Sequence, residues 1–204
     1  MQPLEIEVKF YPTDIDPVRN SIIELGADCL GRVFETNIRF EDANKNLIKK
    51  GSLLRLRKDK KTRLTFKSKP HDKDRQFKIF RELEVTVSDF STMNMILESL
   101  GYYKEQIYEK WRETFVLDNI EFCIDTMPFG NFLEIEGEKE KIKPLADRIG
   151  LKWEKRSILS YLDLFNIIKD ELNLTFSDVT FSNFKDVKVD FGKYADLFEA
   201  GLIV

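Results

Sequence analysis

The most constraining feature of this chain is a two-residue rhythm of like charges. Successive side chains of a strand face opposite sides of a sheet. In Leu4–Phe10, Glu5, Glu7 and Lys9 fall on one face and Ile6, Val8 and Phe10 on the other. The same alternation sets Arg55 and Arg57 against Leu54 and Leu56, Thr65 and Lys67 against Leu64 and Phe66, and Glu82 and Glu84 against Leu83 and Val85. Lys110 and Arg112 flank Trp111, Cys123 and Asp125 flank Ile124, and Glu134 and Glu136 flank Ile135. A half-buried antiparallel strand with one wet face accounts for any one of these segments. The set asks for more, because carboxylates dominate some strands and cations others, and like charges two residues apart on one face repel. A large counter-ligand relieves that repulsion. Clustered Arg and Lys neutralise a polyanion such as triphosphate, and paired Glu side chains suit hard divalent cations such as Mg²⁺ or Mn²⁺. A barrel whose polar face points inward would place both sets around one ligand.

The remaining elements fit that picture. Asp16 and Pro17 read as N-cap and first residue of a helix carrying Val18, Ile22, Ile23 and Leu25, ended by Gly26. Leu30–Phe40 is extended, Asn44–Asn46 is a turn, and Ser52–Lys58 with Arg63–Lys69 forms a hairpin across Asp59–Lys61. Pro70–Lys78 reads as a mobile polar loop and Phe80–Val87 as a strand. Ser88 or Asp89 caps a second helix bearing Met93, Ile96, Leu97 and Leu100, stopped by Gly101. Strands follow at Ile107–Leu117, Glu121–Thr126 and Phe132–Glu138, then helices from about Lys143 to Ile149 and from about Ile158 to Leu172. Helices do not alternate regularly with strands, so an antiparallel sheet or closed barrel with helices outside fits better than a doubly wound parallel sheet. Residues 1–170 read as one domain and 171–204 as a C-terminal extension rich in aromatic residues. The extension carries Phe176, Phe181, Phe184, Phe191, Tyr194 and Phe198, and is expected to pack on its own barrel rather than on a second subunit.

Composition removes several function classes. Charged residues make up 34% of the 204 residues, yet the net charge is −3, so a nucleic-acid partner held by bulk positive charge is not expected. The single histidine, His71, leaves no basis for a histidine zinc site or a Ser-His-Asp triad. Cys29 and Cys123 form no CxxC pattern and read as buried free thiols. The chain shows no basic leader and nothing near the ~20 apolar residues of a membrane span, so a cytoplasmic protein without membrane partners is expected.

Glu5-Ile6-Glu7-Val8-Lys9 resembles the ExExK signature of the CYTH proteins, also called triphosphate tunnel metalloenzymes. The resemblance continues in family order through Leu54-Arg55-Leu56-Arg57, Leu64-Thr65-Phe66-Lys67, Arg81-Glu82-Leu83-Glu84, Lys110-Trp111-Arg112, Ile124-Asp125 and the run Phe129–Glu136. It covers about Leu4 to Phe165. It implies an α+β fold: a closed eight-stranded antiparallel β-barrel, or tunnel, with a polar lumen and helices packed outside. By motif match, Lys9, Arg55, Arg57, Lys67, Lys110 and Arg112 would contact phosphates, with Lys9, Arg55 and Arg57 closest to the chemistry. Glu5, Glu7, Asp125, Glu134 and Glu136 would hold Mg²⁺ or Mn²⁺, and Glu82 and Glu84 would line the tunnel. Ser160-Tyr161 resembles a family feature near the tunnel end. One position departs from the pattern. The family's second strand resembles D-x-Y-F-D, whereas this chain has Asn37-Ile38-Arg39-Phe40-Glu41. The hydroxyl that some members use beside the first-strand lysine to activate water is therefore replaced by Arg39, which either adds a phosphate contact or points outward.

The resemblance implies chemistry on a triphosphate-containing small molecule. Water attacking the γ-phosphorus makes a triphosphatase, acting on inorganic, nucleoside or thiamine triphosphate. A ribose 3′-oxygen attacking the α-phosphorus makes a class IV type adenylyl cyclase. The motifs serve both; hydrolysis is favoured here because water needs no base pocket or ribose placement. A non-catalytic polyphosphate or nucleotide binder would need mainly the cations, not the carboxylates. A homodimer is compatible with the resemblance.

Overall fold

The computed structural model describes residues 4–70, 74–187 and 191–198. Eight strands form in chain order: β1 (Leu4–Phe10), β2 (Asp28–Asp42), β3 (Leu53–Lys58), β4 (Thr62–Ser68), β5 (Lys78–Val87), β6 (Tyr102–Leu117), β7 (Ile120–Met127) and β8 (Gly130–Glu136). They close as an antiparallel barrel in the order β1-β5-β4-β3-β2-β6-β7-β8, with β8 returning to β1. Five helices lie outside: α1 (Ile15–Glu24), α2 (Asn46–Lys49), α3 (Phe90–Ser99), α4 (Lys139–Arg148) and α5 (Tyr161–Leu172). The expected α+β barrel with external helices is what forms.

Because the lumen is polar, the hydrophobic core lies between the barrel's outer face and the helices. Val8, Phe10, Phe122, Ile124, Leu133 and Ile135 point outward and are buried against Val18 and Ile22 of α1 and Ile142 and Ala146 of α4. A second cluster joins Phe129 and Phe132 to Leu164, Phe165 and Ile168 of α5. A third sets Leu97 of α3 on Ile38, Phe40 and Leu56. Each buried side chain of this size contributes roughly 1.5–3 kcal/mol.

Several boundaries differ from expectation for local reasons. The N-cap of α1 is Asp14, not Asp16; its side chain accepts from the Asp16 N–H, and Pro17 sits within the first turn, where a missing donor costs nothing. Of the two candidates for α3, Asp89 is the cap, accepting from the Thr92 N–H at 2.6 Å. Gly26 and Gly101 follow α1 and α3 at φ 85° and 87°, the left-handed geometry glycine tolerates best. The expected turn at 44–46 leads into α2. α4 begins at Lys139 and carries Pro144 inside it, because burying Ile142 and Ala146 one turn apart outweighs the lost helix bond. β8 stops at Glu136, where the Gly137 N–H turns back to the Ile6 carbonyl. α5 starts at Tyr161 rather than Ile158, on a capping box formed by Ser160 and Asp163. Of the expected mobile loop, residues 71–73 lie outside the described residues; Gln76 and Phe77 N–H donate to Asp74 Oδ1. Cys123 is buried, but Cys29, near the start of β2, is exposed.

The extension packs on its own barrel. β6 runs on past the end of β7, which pairs only with Trp111–Leu117. Val179 fills part of the bare edge as a parallel bridge to Tyr108: its N–H donates to the Ile107 carbonyl and its carbonyl accepts from the Glu109 N–H. Phe176, Phe184, Phe191 and Tyr194 join the α5 cluster, and Phe165 stacks on Phe176 at 6.1 Å. Phe181 instead lies 6.1 Å from Phe34.

Candidate active site

The barrel encloses a cavity of about 990 Å³ whose wall is the charged face of the strands. Eleven Lys and Arg side chains and ten carboxylates line it, so a polyanion entering this space must exchange partners with groups already paired.

Strand register creates the acidic wall. β1 places Glu7 opposite Glu136 of β8 and opposite Lys78 of β5, and Lys9 opposite Glu134. Carboxylate oxygens of Glu5, Glu7 and Glu136 thus lie within 4.8 Å of one another. Burial, with the carboxylates of Glu5, Glu7 and Glu134, pushes Glu136 up to about 8. Burial and Glu7 also raise Glu5. Glu7 is the exception: burial would raise it, but Lys78 and Lys9 hold it below the usual range, with Nζ atoms 2.7 and 2.5 Å from Oε1. Three carboxylates whose oxygens lie this close fit a hard divalent cation, which would compete for them with Lys9, Lys78 and Lys67.

Asp125 and Glu134 sit elsewhere in the network. Asp125 is fully buried behind the lumen surface, accepting from Lys110 at 2.8 Å, from Arg112 Nε at 2.7 Å and from the Tyr161 hydroxyl at 2.7 Å. Glu134 pairs with Lys9 at 2.9 Å and with Arg112. Against burial, Lys9 and Arg112 hold Glu134 well below the carboxylate range. The structure therefore gathers three of the five expected metal ligands and sets the other two among cations.

The expected cations Lys9, Arg55, Arg57, Lys67, Lys110 and Arg112 all line the cavity, as does Arg39, so Arg39 faces inward. Lys67 bridges Glu5 and Glu82, the latter at 2.6 Å. Glu84 accepts from the Thr65 hydroxyl at 2.9 Å and lies 3.5 Å from Arg57 and Arg63. Glu82 and Glu84 thus line the tunnel as partners to its cations. Tyr161, in the first turn of α5, lies under the Lys9 and Lys110 ammonium groups at 5.0 and 5.2 Å from its ring centre.

Three cavity-lining residues, Glu35, Lys78 and Tyr108, and the buried Asn37 beside them lie outside the sequence expectation. Glu35 and Asn37 share a strand face with Arg39, and Tyr108 shares one with Lys110 and Arg112, so counting every polar residue on that parity would have found three of them. Lys78 falls in the expected polar loop but opens β5. Together with Arg55 and Arg57, three of these residues make an unusual wall. Among the described residues, six buried side-chain atoms lack hydrogen-bond partners, and five belong here: Glu35 Oε2, both amide atoms of Asn37, and Nε of Arg55 and of Arg57. Arg57 is held only loosely, 3.5–3.6 Å from Glu35, Asp59 and Glu84. Tyr108 accepts from Arg55 at 3.3 Å. In the ring of strands, β2 and β3 stand across the lumen from β1 and β8, so this under-satisfied wall faces the acidic cluster.

The CYTH domain family model matches residues 3–164. The chain belongs to this family. A relative from Methanocaldococcus jannaschii, provisionally named adenylate cyclase, is 28% identical over 171 residues, spanning 83% of this chain and 93% of its own. The solved structure of a Pyrococcus horikoshii protein is 29% identical with a TM-score of 0.66, covering 78% of this chain and 98% of that one. A Hippeastrum protein, provisionally named adenylyl cyclase and described as having a dominant triphosphatase activity, shares the fold at 19% identity and TM-score 0.59, over 80% of this chain and 95% of that one. No helix among the described residues is long and apolar enough to cross a membrane.

Proposed function

We propose that this CYTH protein is a divalent-metal-dependent triphosphatase whose substrate lies across the lumen between the two walls. The observation that carries this reading is the facing pair: a three-carboxylate cluster opposite arginines with unmet hydrogen-bonding capacity. Arg55, Arg57, Lys67, Lys110 and Arg112 bind the phosphate oxygens, and Lys9 sits beside the acidic cluster. Glu5, Glu7 and Glu136 hold Mg²⁺ or Mn²⁺, which supplies polarisation of the phosphoryl group when bound. Phosphate oxygens replace carboxylates as partners of Arg57 and Lys67, so the existing ion pairs pre-position the cations and are exchanged rather than built. Negative charge that develops on the transferred group then meets cations already fixed in the lumen wall. Asp125 and Glu134 keep Lys110, Arg112 and Lys9 aimed at the lumen.

A second reading, cyclisation of ATP to cyclic AMP and pyrophosphate, is favoured by the name of the M. jannaschii relative. Phosphorus NMR of products from ATP and from inorganic triphosphate, with Mg²⁺ and with Mn²⁺, separates the two. Orthophosphate supports the triphosphatase. Pyrophosphate with cyclic AMP replaces it with the cyclase, and tight binding without turnover replaces both with a binding protein.

A further inference from the structure

The five unpaired atoms of the β2–β3 wall are not a random assortment. Two are acceptors, Glu35 Oε2 and Asn37 Oδ1; three are donors, Asn37 Nδ2 and Nε of Arg55 and Arg57. Glu35 lines the cavity, and Asn37, fully buried, lies in the same wall between its register partners Arg57 and Tyr108, which both line it. Leaving buried amide and carboxylate atoms unpaired is costly, and waters that fill such places make about three hydrogen bonds each. Arg57 and Lys110 stand 3.5–3.7 Å from Glu35 and Glu84, beyond direct hydrogen-bond distance, so these groups keep capacity for a further polar partner.

We propose that Glu35 and Asn37 hold the attacking water of triphosphate hydrolysis, an inference that rests on the triphosphatase reading. A water that donates one hydrogen bond to Glu35 Oε2 and one to Asn37 Oδ1 turns its lone pair away from both, toward a phosphoryl group seated on Arg55 and Arg57. The unpaired Nε atoms of Arg55 and Arg57 then serve the oxygens of that group. The water oxygen bonds to the terminal phosphorus as the bond from that phosphorus to the bridging oxygen breaks, and pyrophosphate leaves with the electron pair. One water proton stays on the orthophosphate and the other ends on the pyrophosphate, so atoms and charge balance. Glu35 orients and does not keep the proton: burial would raise it, but Lys110, Arg112, Arg57 and Arg55 hold it at about 2.

The test is Asn37→Ala and Asn37→Leu, assayed with inorganic triphosphate and Mg²⁺, alongside calorimetric affinity for a non-hydrolysable imido analogue of triphosphate. The expected result is a kcat lower by about 100-fold, the scale on which misplacing a reactant acts, with KM and analogue affinity within about threefold of wild type. Weakened analogue affinity at unchanged kcat would make Asn37 a direct phosphate contact and overturn the proposal, as would variants indistinguishable from wild type in both. Should these variants not fold, a high-resolution crystal structure of the wild type decides: a water bonded to Glu35 Oε2 and Asn37 Oδ1 supports the inference, and none there overturns it. A wild type that releases no orthophosphate from any triphosphate is instead a failure of the triphosphatase reading, and takes the water with it.

Discussion

Glu136 stands directly opposite Glu7 across the seam where β8 closes on β1. Like charges as register partners destabilise a sheet pair, and here Glu5 adds a third carboxylate. The seam between β8 and β1 thus brings three carboxylates together.

That relationship gives the first prediction. The Glu136 pKa of about 8 in the fold lies above its ordinary value of 4.5, so the folded state binds the extra proton. This group's contribution to stability is full below about 4.5 and is lost as pH rises toward about 8. Thermal unfolding of metal-free protein should show the slope, Glu136→Gln should flatten it, and Mg²⁺ should offset it. Calorimetry in buffers of different ionisation enthalpy at pH 7 should detect a proton released on Mg²⁺ binding.

Neutralising the acidic cluster should separate function from folding. Glu5→Gln, Glu7→Gln and Glu136→Gln should each lower Mg²⁺-dependent turnover by at least about 100-fold, and Glu5→Gln and Glu136→Gln should leave the melting temperature equal or higher. Full metal-dependent activity in these variants would remove the metal assignment.

Glu134→Gln should behave differently. It leaves Lys9 and Arg112 buried with one partner fewer, a change of roughly 3–5 kcal/mol for a broken buried pair. Denaturant titration should show this loss in the presence or absence of metal.

Tyr161→Phe removes the bond from the first turn of α5 to Asp125. A hydrogen bond to a charged group is worth about 1.5–3 kcal/mol, and each kcal/mol shifts the melting temperature of a chain this long by roughly 2–4 °C. The expected fall is readable by calorimetry. A more sensitive check is the triphosphate KM, which should rise as Asp125, the anchor of Lys110 and Arg112, loses one of the bonds that fix it.

Phe184→Ala, in the extension, should cost about 3–5 kcal/mol, because the ring packs on Phe129, Phe165, Phe176 and Phe191. Limited proteolysis should then cut between the extension and α5 before it cuts the barrel.

Much of this was legible in the sequence, and for one physical reason. Strand alternation has a period of two, so Glu5, Glu7 and Lys9 could be put on one face without knowing any partner. What the alternation could not supply was register. Only pairing shows that Glu136 meets Glu7 while Glu134 meets Lys9, which separates a cluster able to hold a cation from a carboxylate held by two cations. Depth was equally hidden: Asp125 has the parity of a lumen residue, yet Lys110, Arg112 and Tyr161 cover it. Asn37 was passed over because it carries no charge, and its significance lies in hydrogen bonds it does not make, which no sequence pattern records.

The inverted layout of the barrel, with its apolar packing outside and its charges within, has an evolutionary consequence. Every strand writes two independent messages in alternate letters, one read by the helices and one by the ligand. Val8 and Phe10 can keep their contacts with α1 and α4 while their neighbours Glu7 and Lys9 change. Reactivity in such a scaffold can be rewritten one lumen position at a time, with the outer packing left as it stands.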